Sequence, residues 1–375
     1  GWCAMGSGLI IDCFAGGGGA STGIEMALGR SIDIAINHDP KAIAMHAVNH
    51  PDTLHLTEDI FEVDLVKYVG GRHVSLMWAS PDCTHHSRAK GGKPRESGLR
   101  MLPWAVHKYA AAVKPDVIFL ENVPEIQKWG PLGEDGRPIK ERAGEDYAAF
   151  VAAMRNLGYT WESRELSACD YGAPTTRKRW YAILRRDGKR TVWPEQTHGE
   201  TLFAPKPYVP VSSCIDFSDI GQSIFDRKKP LAEATSRRIA RGIEQFVQGC
   251  GGFIVAGGVK RSLISAFLIK YYGSGTGQSV TDALGTITTK DRFGLVTVQL
   301  EDETYAIADI FLRMLRPREL MLAQGFPPDY VIDGYADGSA VPIAQQVKMI
   351  GNSVVPTMAE VLVRANCAEL IAMAT

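Results

Sequence analysis

The sequence predicts an α/β protein with a doubly wound, mainly parallel sheet and a smaller β-rich unit. Three observations carry this. Short apolar runs alternate with segments of helical apolar spacing through residues 9–184. A glycine-rich turn joins the first apolar run to the first helical segment. After about residue 191 the texture changes to prolines and short β-type pieces among many glycines.

In order, residues 9–14 are an apolar run that stops at glycines, which predicts a buried first strand. Ile24, Ala27 and Leu28 recur at helical spacing; residues 32–36 read as a second strand and 41–49 as a second helix. Residues 74–79 and 117–120 are buried-type strands separated by a helical stretch at 104–113. A helix at 145–157 and a strand at 180–184 complete the first unit. Pro194, Pro205, Pro207 and Pro210 mark a linker-like passage. Residues 253–255, 263–272, 286–289 and 295–300 follow as β-type pieces, and 359–373 reads as a helix that returns to the first unit. The expected division is 8–192, completed by about 340–375, and 193–339.

A chain of 375 residues accommodates one large domain and a smaller one. Hydrophobic content of 45% and charged content of 22% are ordinary for a globular protein. No apolar run approaches a membrane span, and the first eight residues, GWCAMGSG, have no signal-peptide character; residues 1–7 read as vector-derived. Seven cysteines without a CxxC pair argue against a disulfide framework or structural zinc and for a reducing cytoplasm. A net charge of −1 names no partner. Basic islands at 177–190 and 88–100 suit a polyanion, although each alone also fits a solvated surface.

Asp12-Cys13-Phe14-Ala15-Gly16-Gly17-Gly18-Gly19 sits at the first strand–helix junction, where glycines let the backbone approach a ligand. It lacks the GxGxxG spacing and the Lys-Ser/Thr of a phosphate loop, and by itself also fits a dinucleotide site. Phe14 offers a stacking face or fills the core. Cys83 follows the 74–79 strand and Glu121 ends the next, so neighbouring strands deliver a thiol and a carboxyl to one crevice. A cysteine there is otherwise a small buried residue. His85 and His86 beside Cys83 do not make a metal site, since adjacent histidines rarely converge on one ion.

Read together, these segments resemble the DNA cytosine-C5 methyltransferase family of prokaryotic or phage type. Residues 12–19 are similar to its DxFxGxGG motif, Pro81-Asp82-Cys83 to its Pro-Pro-Cys loop, and Glu121-Asn122-Val123 to its ENV motif. Thr175-Thr176-Arg177-Lys178-Arg179 matches QxRxR apart from its first residue. Residues 313–319 with Gln324-Gly325-Phe326-Pro327 resemble the segment supporting the target-recognition domain, and Gln346 with residues 350–354 the final GN motif. The matches keep family order from residue 9 to about 365 and skip 191–305. Asp82, Thr84, Thr175, Arg316 and Asn37 depart from the usual residues.

The resemblance implies a Rossmann-like, S-adenosylmethionine-dependent methyltransferase sheet with a β-rich target-recognition domain. It implies methyl transfer from S-adenosylmethionine to C5 of a cytosine flipped from double-stranded DNA, at a specific short sequence, through a covalent Cys83–C6 adduct. Its catalytic residues are then Cys83, Glu121, Arg177 and Arg179, with Glu121 at the base N3 and Arg179 at its O2. Its cofactor residues are Asp12, Phe14, Ala15, Gly16, Gly18, Gly19, Asn37, Asp39, Asp59, Ile60, Pro81, Asn352 and Ser353, with no metal. Asn37 stands where the family has an acidic residue for the ribose; Asp39 replaces it there or caps the next helix. The glycine-bearing basic segment 88–100 corresponds to the loop that closes over the flipped base. A cytoplasmic, monomeric enzyme of a prokaryotic cell or phage-infected host is expected, with no membrane association; a cognate restriction endonuclease as companion and an orphan enzyme both fit the sequence. A transfer-RNA cytosine methyltransferase, a catalytically dead relative and a NAD-dependent dehydrogenase are the competing readings.

Overall fold

The computed structural model describes residues 8–81, 102–200, 202, 204–248, 253–256, 263–272, 277–301 and 307–371. Asp82, Cys83, Thr84 and the basic segment 88–100 lie outside them. The first part contains β1 (Leu9–Cys13), α1 (Gly19–Leu28), β2 (Ile34–Ile36), α2 (Pro40–Asn49), β3 (Leu54–Leu56), α3 (Leu65–Val69), β4 (Val74–Ala79) and α4 (Leu102–Val113). It continues with β5 (Val117–Asn122), α5 (Glu145–Asn156), β6 (Glu162–Ser167) and β7 (Lys178–Arg185). These strands form one sheet in the order β3-β2-β1-β4-β5-β7-β6. β1 to β5 pair in parallel, and β7 runs antiparallel to both neighbours.

Both faces of this sheet are covered, which explains the continuous apolar runs of its central strands. Side chains alternate across a strand. Ile11, Met77 and Leu120 pack with the apolar faces of α3, α4 and α5. Ile10, Leu76, Trp78 and Phe119 pack with α1 and with α9 (Pro356–Asn366), the last α-helix among the described residues. α9 lies so close to α1 that a Cβ on Gly23 would fall 2.2 Å from the Pro356 carbonyl oxygen.

The second part comprises β8 (Gln222–Ser223), α6 (Glu233–Gly242), β9 (Phe253–Ala256), β10 (Leu263–Lys270), β11 (Gln278–Ser279), β12 (Phe293–Leu300) and β13 (Ile307–Met314). α7 (Pro317–Ala323) and α8 (Ile343–Asn352) follow. Its strands make a separate antiparallel sheet in the order β11-β10-β12-β13-β8, with β9 beside β10. One face (Phe267, Ile269, Val296, Val298) packs on Ile239 and Ile243. The other (Ala266, Leu268, Phe293, Leu295) joins α7, α8 and Ala42 and Met45 of α2 in a core shared between the two sheets.

The α/β class, the strand–helix alternation and the returning final helix are as the sequence predicts. Three details differ. Residues 286–289 are irregular: Leu284 makes an isolated bridge to Thr175, and the Ile287 carbonyl accepts from Arg177 Nη1 at 3.3 Å, which fixes a loop instead of a strand. The final helix starts at Pro356, whose ring suits a first helical position, and stops at Asn366, before a short 3-10 turn. β6 and β13 were not anticipated; β6 has a largely exposed, polar pattern that gives no apolar alternation. No helix among the described residues is long and apolar enough to cross a membrane.

Candidate active site

The glycine-rich turn leaves the carboxyl end of β1 with three positive φ angles: Phe14 at 63°, Gly16 at 51° and Gly18 at 102°. A bulky residue rarely adopts such a conformation unless its surroundings impose it. Ala15 N–H donates to the Ile36 carbonyl at 3.0 Å, so the turn is held against the end of β2. There Asn37, half-buried, donates its N–H to the Leu56 carbonyl at 3.1 Å and accepts from the Asp39 N–H at 2.9 Å. The turn therefore gathers the ends of β1, β2 and β3.

Its far wall comes from the end of the chain. Ser353 is buried, donating its hydroxyl to the Met349 carbonyl at 2.6 Å and accepting at its own carbonyl from Gln324 Nε2 at 2.9 Å. A Cβ on Gly17 would touch Ser353 Oγ at 3.5 Å, and one on Gly19 would overlap the Val354 carbonyl oxygen at 2.0 Å. Asn352 is exposed at the C-terminal end of α8. Asp39 caps α2 through Lys41 N–H at 2.9 Å, the capping role weighed for it. Asp59, exposed, accepts from Phe61 N–H at 2.8 Å, while Ile60 is buried and its carbonyl accepts from the Tyr109 hydroxyl.

Asp12 lies beneath the turn, fully buried. Its Oδ2 accepts from the Ser21 hydroxyl at 2.6 Å, and its Oδ1 has no hydrogen-bond partner. Burial pushes this carboxyl up to about 7, against the lowering effect of Ser21. Behind Ser21 stand three histidines the sequence reading did not single out. His46 is on α2, His50 follows one turn later as the residue that ends the helix, and His55 is on β3. His50 Nδ1 is 2.9 Å from Glu25 Oε2, and Tyr330 donates its hydroxyl to the Gly17 carbonyl. The signal available beforehand was the i, i+4 spacing of two histidines on one helix face. Among the described residues no group of three or more His, Cys, Asp or Glu side chains could hold a metal ion.

A second cluster occupies the ends of β4, β5 and β7. The Pro81 carbonyl accepts from Asn122 Nδ2 at 3.0 Å, which fastens the chain beyond β4 to the end of β5. Glu121 Oε1 and Arg179 Nε are 3.5 Å apart, with side chains only 10% and 17% exposed. Pro81, Glu121, Asn122, Trp129, Tyr147 and Trp180 line an open, mainly apolar crevice. Cys83 follows Pro81 by two positions, outside the described residues.

Arg177 feels the Glu121 charge from within the first part. Its buried Nη1 donates to the carbonyls of Ile287 (3.3 Å) and Gly351 (3.1 Å), tying the first sheet to the 284–289 loop and to the end of α8. Its Nε has no hydrogen-bond partner, and burial lowers the guanidinium to about 10. Thr175, the departure from glutamine, accepts from Arg177 N–H at 3.2 Å and so closes the turn locally. The arrangement supplies a sheltered carboxyl and guanidinium at one rim and a glycine-lined recess with a buried carboxyl at the next.

A family model described as C-5 cytosine-specific DNA methylase matches residues 9–367. The type II methyltransferase M.AgeI of Thalassovita gelatinovora is 30% identical over 193 residues, 50% of this chain and 42% of that protein. M.AquIA of Picosynechococcus sp. is 27% identical over 227 residues, 55% of this chain and 87% of that protein. M1.HphI of Haemophilus parahaemolyticus is 26% identical over 199 residues, covering 51% of this chain and 49% of that protein. The chain thus spans under half the length of the first and third of these relatives. Among solved structures, Spodoptera frugiperda DNMT2 superposes with a TM-score of 0.58 at 16% identity, covering 96% of this chain and 99% of that one. S. pombe Dnmt2 methyltransferase gives 0.57 at 16% identity, covering 97% and 99%. At such identities the likeness is one of fold.

Proposed function

The chain belongs to the C-5 cytosine-specific DNA methylase family, and from that premise we propose that it methylates C5 of a cytosine turned out of double-stranded DNA at a specific short sequence. The observation that carries this is the meeting of Glu121 and Arg179 at 3.5 Å, beside the strand end that leads to Cys83. A carboxyl and a planar guanidinium so placed suit the N3 and O2 edge of a pyrimidine. The names of the relatives, type II methyltransferases, support DNA as the substrate.

In this reading Cys83, as thiolate, bonds through Sγ to C6, and the C5–C6 π pair moves to C5. Glu121 hydrogen-bonds N3 so that negative charge does not build up on the ring, and Arg179 donates to O2. C5 takes the methyl group and then loses its proton; that electron pair restores the double bond as Cys83 leaves C6. Arg177 acts from behind, holding the 284–289 loop and the end of α8 in register. A stacked base cannot reach such a crevice, so it leaves the helix at a cost of roughly a few kcal/mol.

The recess at the glycine turn fits S-adenosylmethionine, which when bound supplies an electrophilic methyl group. Asp12 presents a buried carboxyl whose Oδ1 has no partner, and a cationic ligand would hold it ionised. Phe14 offers a ring for adenine, with Ala15, Gly16, Gly18, Gly19, Asn37, Asp59, Ile60, Pro81, Asn352 and Ser353 as further walls. Asp39, used as a helix cap, stands beside Asn37.

We assign residues 8–192 with 340–375 to catalysis and 193–339 to target recognition, in a monomeric, cytoplasmic enzyme of a prokaryotic cell or infected host. The test is covalent trapping on DNA carrying 5-fluorocytosine at a target site established by bisulfite sequencing. The chain is expected to become trapped in the presence of S-adenosylmethionine, and Cys83→Ala not to. Trapping by the variant, or methylation of transfer RNA in preference to duplex DNA, would refute the assignment.

A further inference from the structure

Beneath the glycine turn a hydrogen-bonded chain leads from the interior to the sheet edge. Ser21 Oγ lies 2.6 Å from Asp12 Oδ2, His46 Nε2 lies 2.8 Å from Ser21 Oγ, and His55 Nε2 lies 2.7 Å from His46 Nδ1. Asp12, Ser21 and His46 are buried, and His55 is half-buried on edge strand β3. A hydroxyl or a neutral imidazole donates at one site and accepts at another, so every link can run in either direction. We propose that Ser21, His46 and His55 are positioning residues that set the ionisation of Asp12 and carry one proton out of the site when a cationic ligand binds there. This rests on the reading that S-adenosylmethionine occupies the turn, and adds to it the route and the residues that govern its charge.

The proton count closes. With Asp12 neutral, its O–H donates to Ser21, Ser21 to His46 Nε2, and His46 Nδ1–H to His55 Nε2. One proton moved along each link leaves Asp12 a carboxylate, Ser21 a hydroxyl that now donates to it, His46 neutral with its proton on Nε2, and His55 an imidazolium. His55 then gives one proton to water. The end state is the donor sequence His55 to His46 to Ser21 to Asp12, which leaves Asp12 a carboxylate beneath the turn.

The surrounding groups fit a conduit. On β1, burial and the Asp12 charge push the Cys13 thiol well up, so it stays protonated. On α1, Glu25 is engaged by His50 of α2 at 2.9 Å, and Thr22 Oγ1 lies 3.3 Å from His50 Nε2. Burial, then His50 and His55, hold His46 well below the ordinary histidine range, so it passes a proton without storing charge. Burial and His50 also lower His55. Tyr330, buried against the turn, is raised and stays a phenol. Asp12 is left to titrate near neutrality, at about 7.

Calorimetric titration of the full chain with S-adenosylmethionine, from about pH 5.5 to 8.5 in buffers of different ionisation enthalpy, tests this. Wild type should release close to one proton per ligand at pH 6, with affinity falling about tenfold per unit below pH 7. Ser21→Ala removes the donor that favours the carboxylate. Its midpoint should move up, weakening binding several-fold at pH 7 and approaching wild type at the alkaline end. His55→Gln, at the half-exposed end where folding is least at risk, should shift the midpoint the same way by less. Affinity and enthalpy independent of pH and buffer, or a Ser21→Ala profile superimposed on wild type, overturn the relay while leaving the cofactor reading intact. Absence of binding at every pH overturns both.

Discussion

Glu121 Oε1 and Arg179 Nε stand 3.5 Å apart across the antiparallel β5–β7 pair. Because β7 runs against β5, its first residues rise at the edge where β4 and β5 finish. A wholly parallel sheet would place the start of that strand at the opposite edge. The reversal of one strand is what brings the Arg179 guanidinium to the Glu121 carboxyl.

Glu121→Gln keeps the shape of this pair and removes the charge. We expect the single-turnover methylation rate to fall by about 10² or more, the range of a positioned acid–base group. The dissociation constant for S-adenosylmethionine should stay within about twofold. A rate within threefold of wild type would remove Glu121 from the chemistry.

Arg177→Met strips the Ile287 and Gly351 carbonyls of their shared donor. Buried acceptors left without partners cost about 1–3 kcal/mol each. Thermal melts should show a loss of a few kcal/mol, with activity falling through a loosened 284–289 loop. Arg179→Met, at the half-buried rim of the site, should lower activity with a smaller change in melting temperature than Arg177→Met.

Alanine for glycine inside a helix usually stabilises by about 0.5–1 kcal/mol. At Gly19 and Gly23 the sign should invert, since a Cβ would lie 2.0 Å from the Val354 carbonyl oxygen and 2.2 Å from that of Pro356. Overpacking of this kind costs about 1–3 kcal/mol. Gly17→Ala, whose Cβ meets only ordinary contacts from 3.5 Å outward, should leave chemical denaturation midpoints nearly unchanged.

Asp12→Asn should raise the stability of the unliganded chain in a pH-dependent way. The folded carboxyl titrates at about 7, against an ordinary 3.8. Above pH 3.8 the unfolded chain ionises while the folded chain still holds the proton, so wild-type stability from this group falls as pH rises from about 4 to 7 and is level beyond. The full penalty is about 4 kcal/mol. Denaturation of both proteins should therefore diverge with rising pH, the variant being the more stable, and its affinity for S-adenosylmethionine should be the lower. Equal pH profiles would show that Asp12 does not titrate in this range.

How much the sequence disclosed follows from burial. β1, β4 and β5 are apolar on both faces because helices cover both, and such runs are plain in the one-dimensional text. β6 is an edge strand with exposed glutamates and Arg164, so no periodicity betrays it. Asp12 and Glu121 were legible through their motifs. Arg177 was recognised, but its grip on two carbonyls 110 and 174 residues away depends on tertiary packing that no local pattern encodes. The Ser21–His46–His55 chain stayed hidden for the same reason: three ordinary polar residues acquire meaning only when α1, α2 and β3 converge. Residues 286–289 misled because threonines and isoleucine favour strands, whereas here they are held in a loop by Arg177.

The wall that Ser353 and Val354 raise against Gly17 and Gly19 also imposes an order in time. Residues 17–19 depend on residues 353–354 before the recess is closed. A chain cut before Ser353 would keep Asp12, Glu121 and Arg179 yet lose the wall that closes the recess.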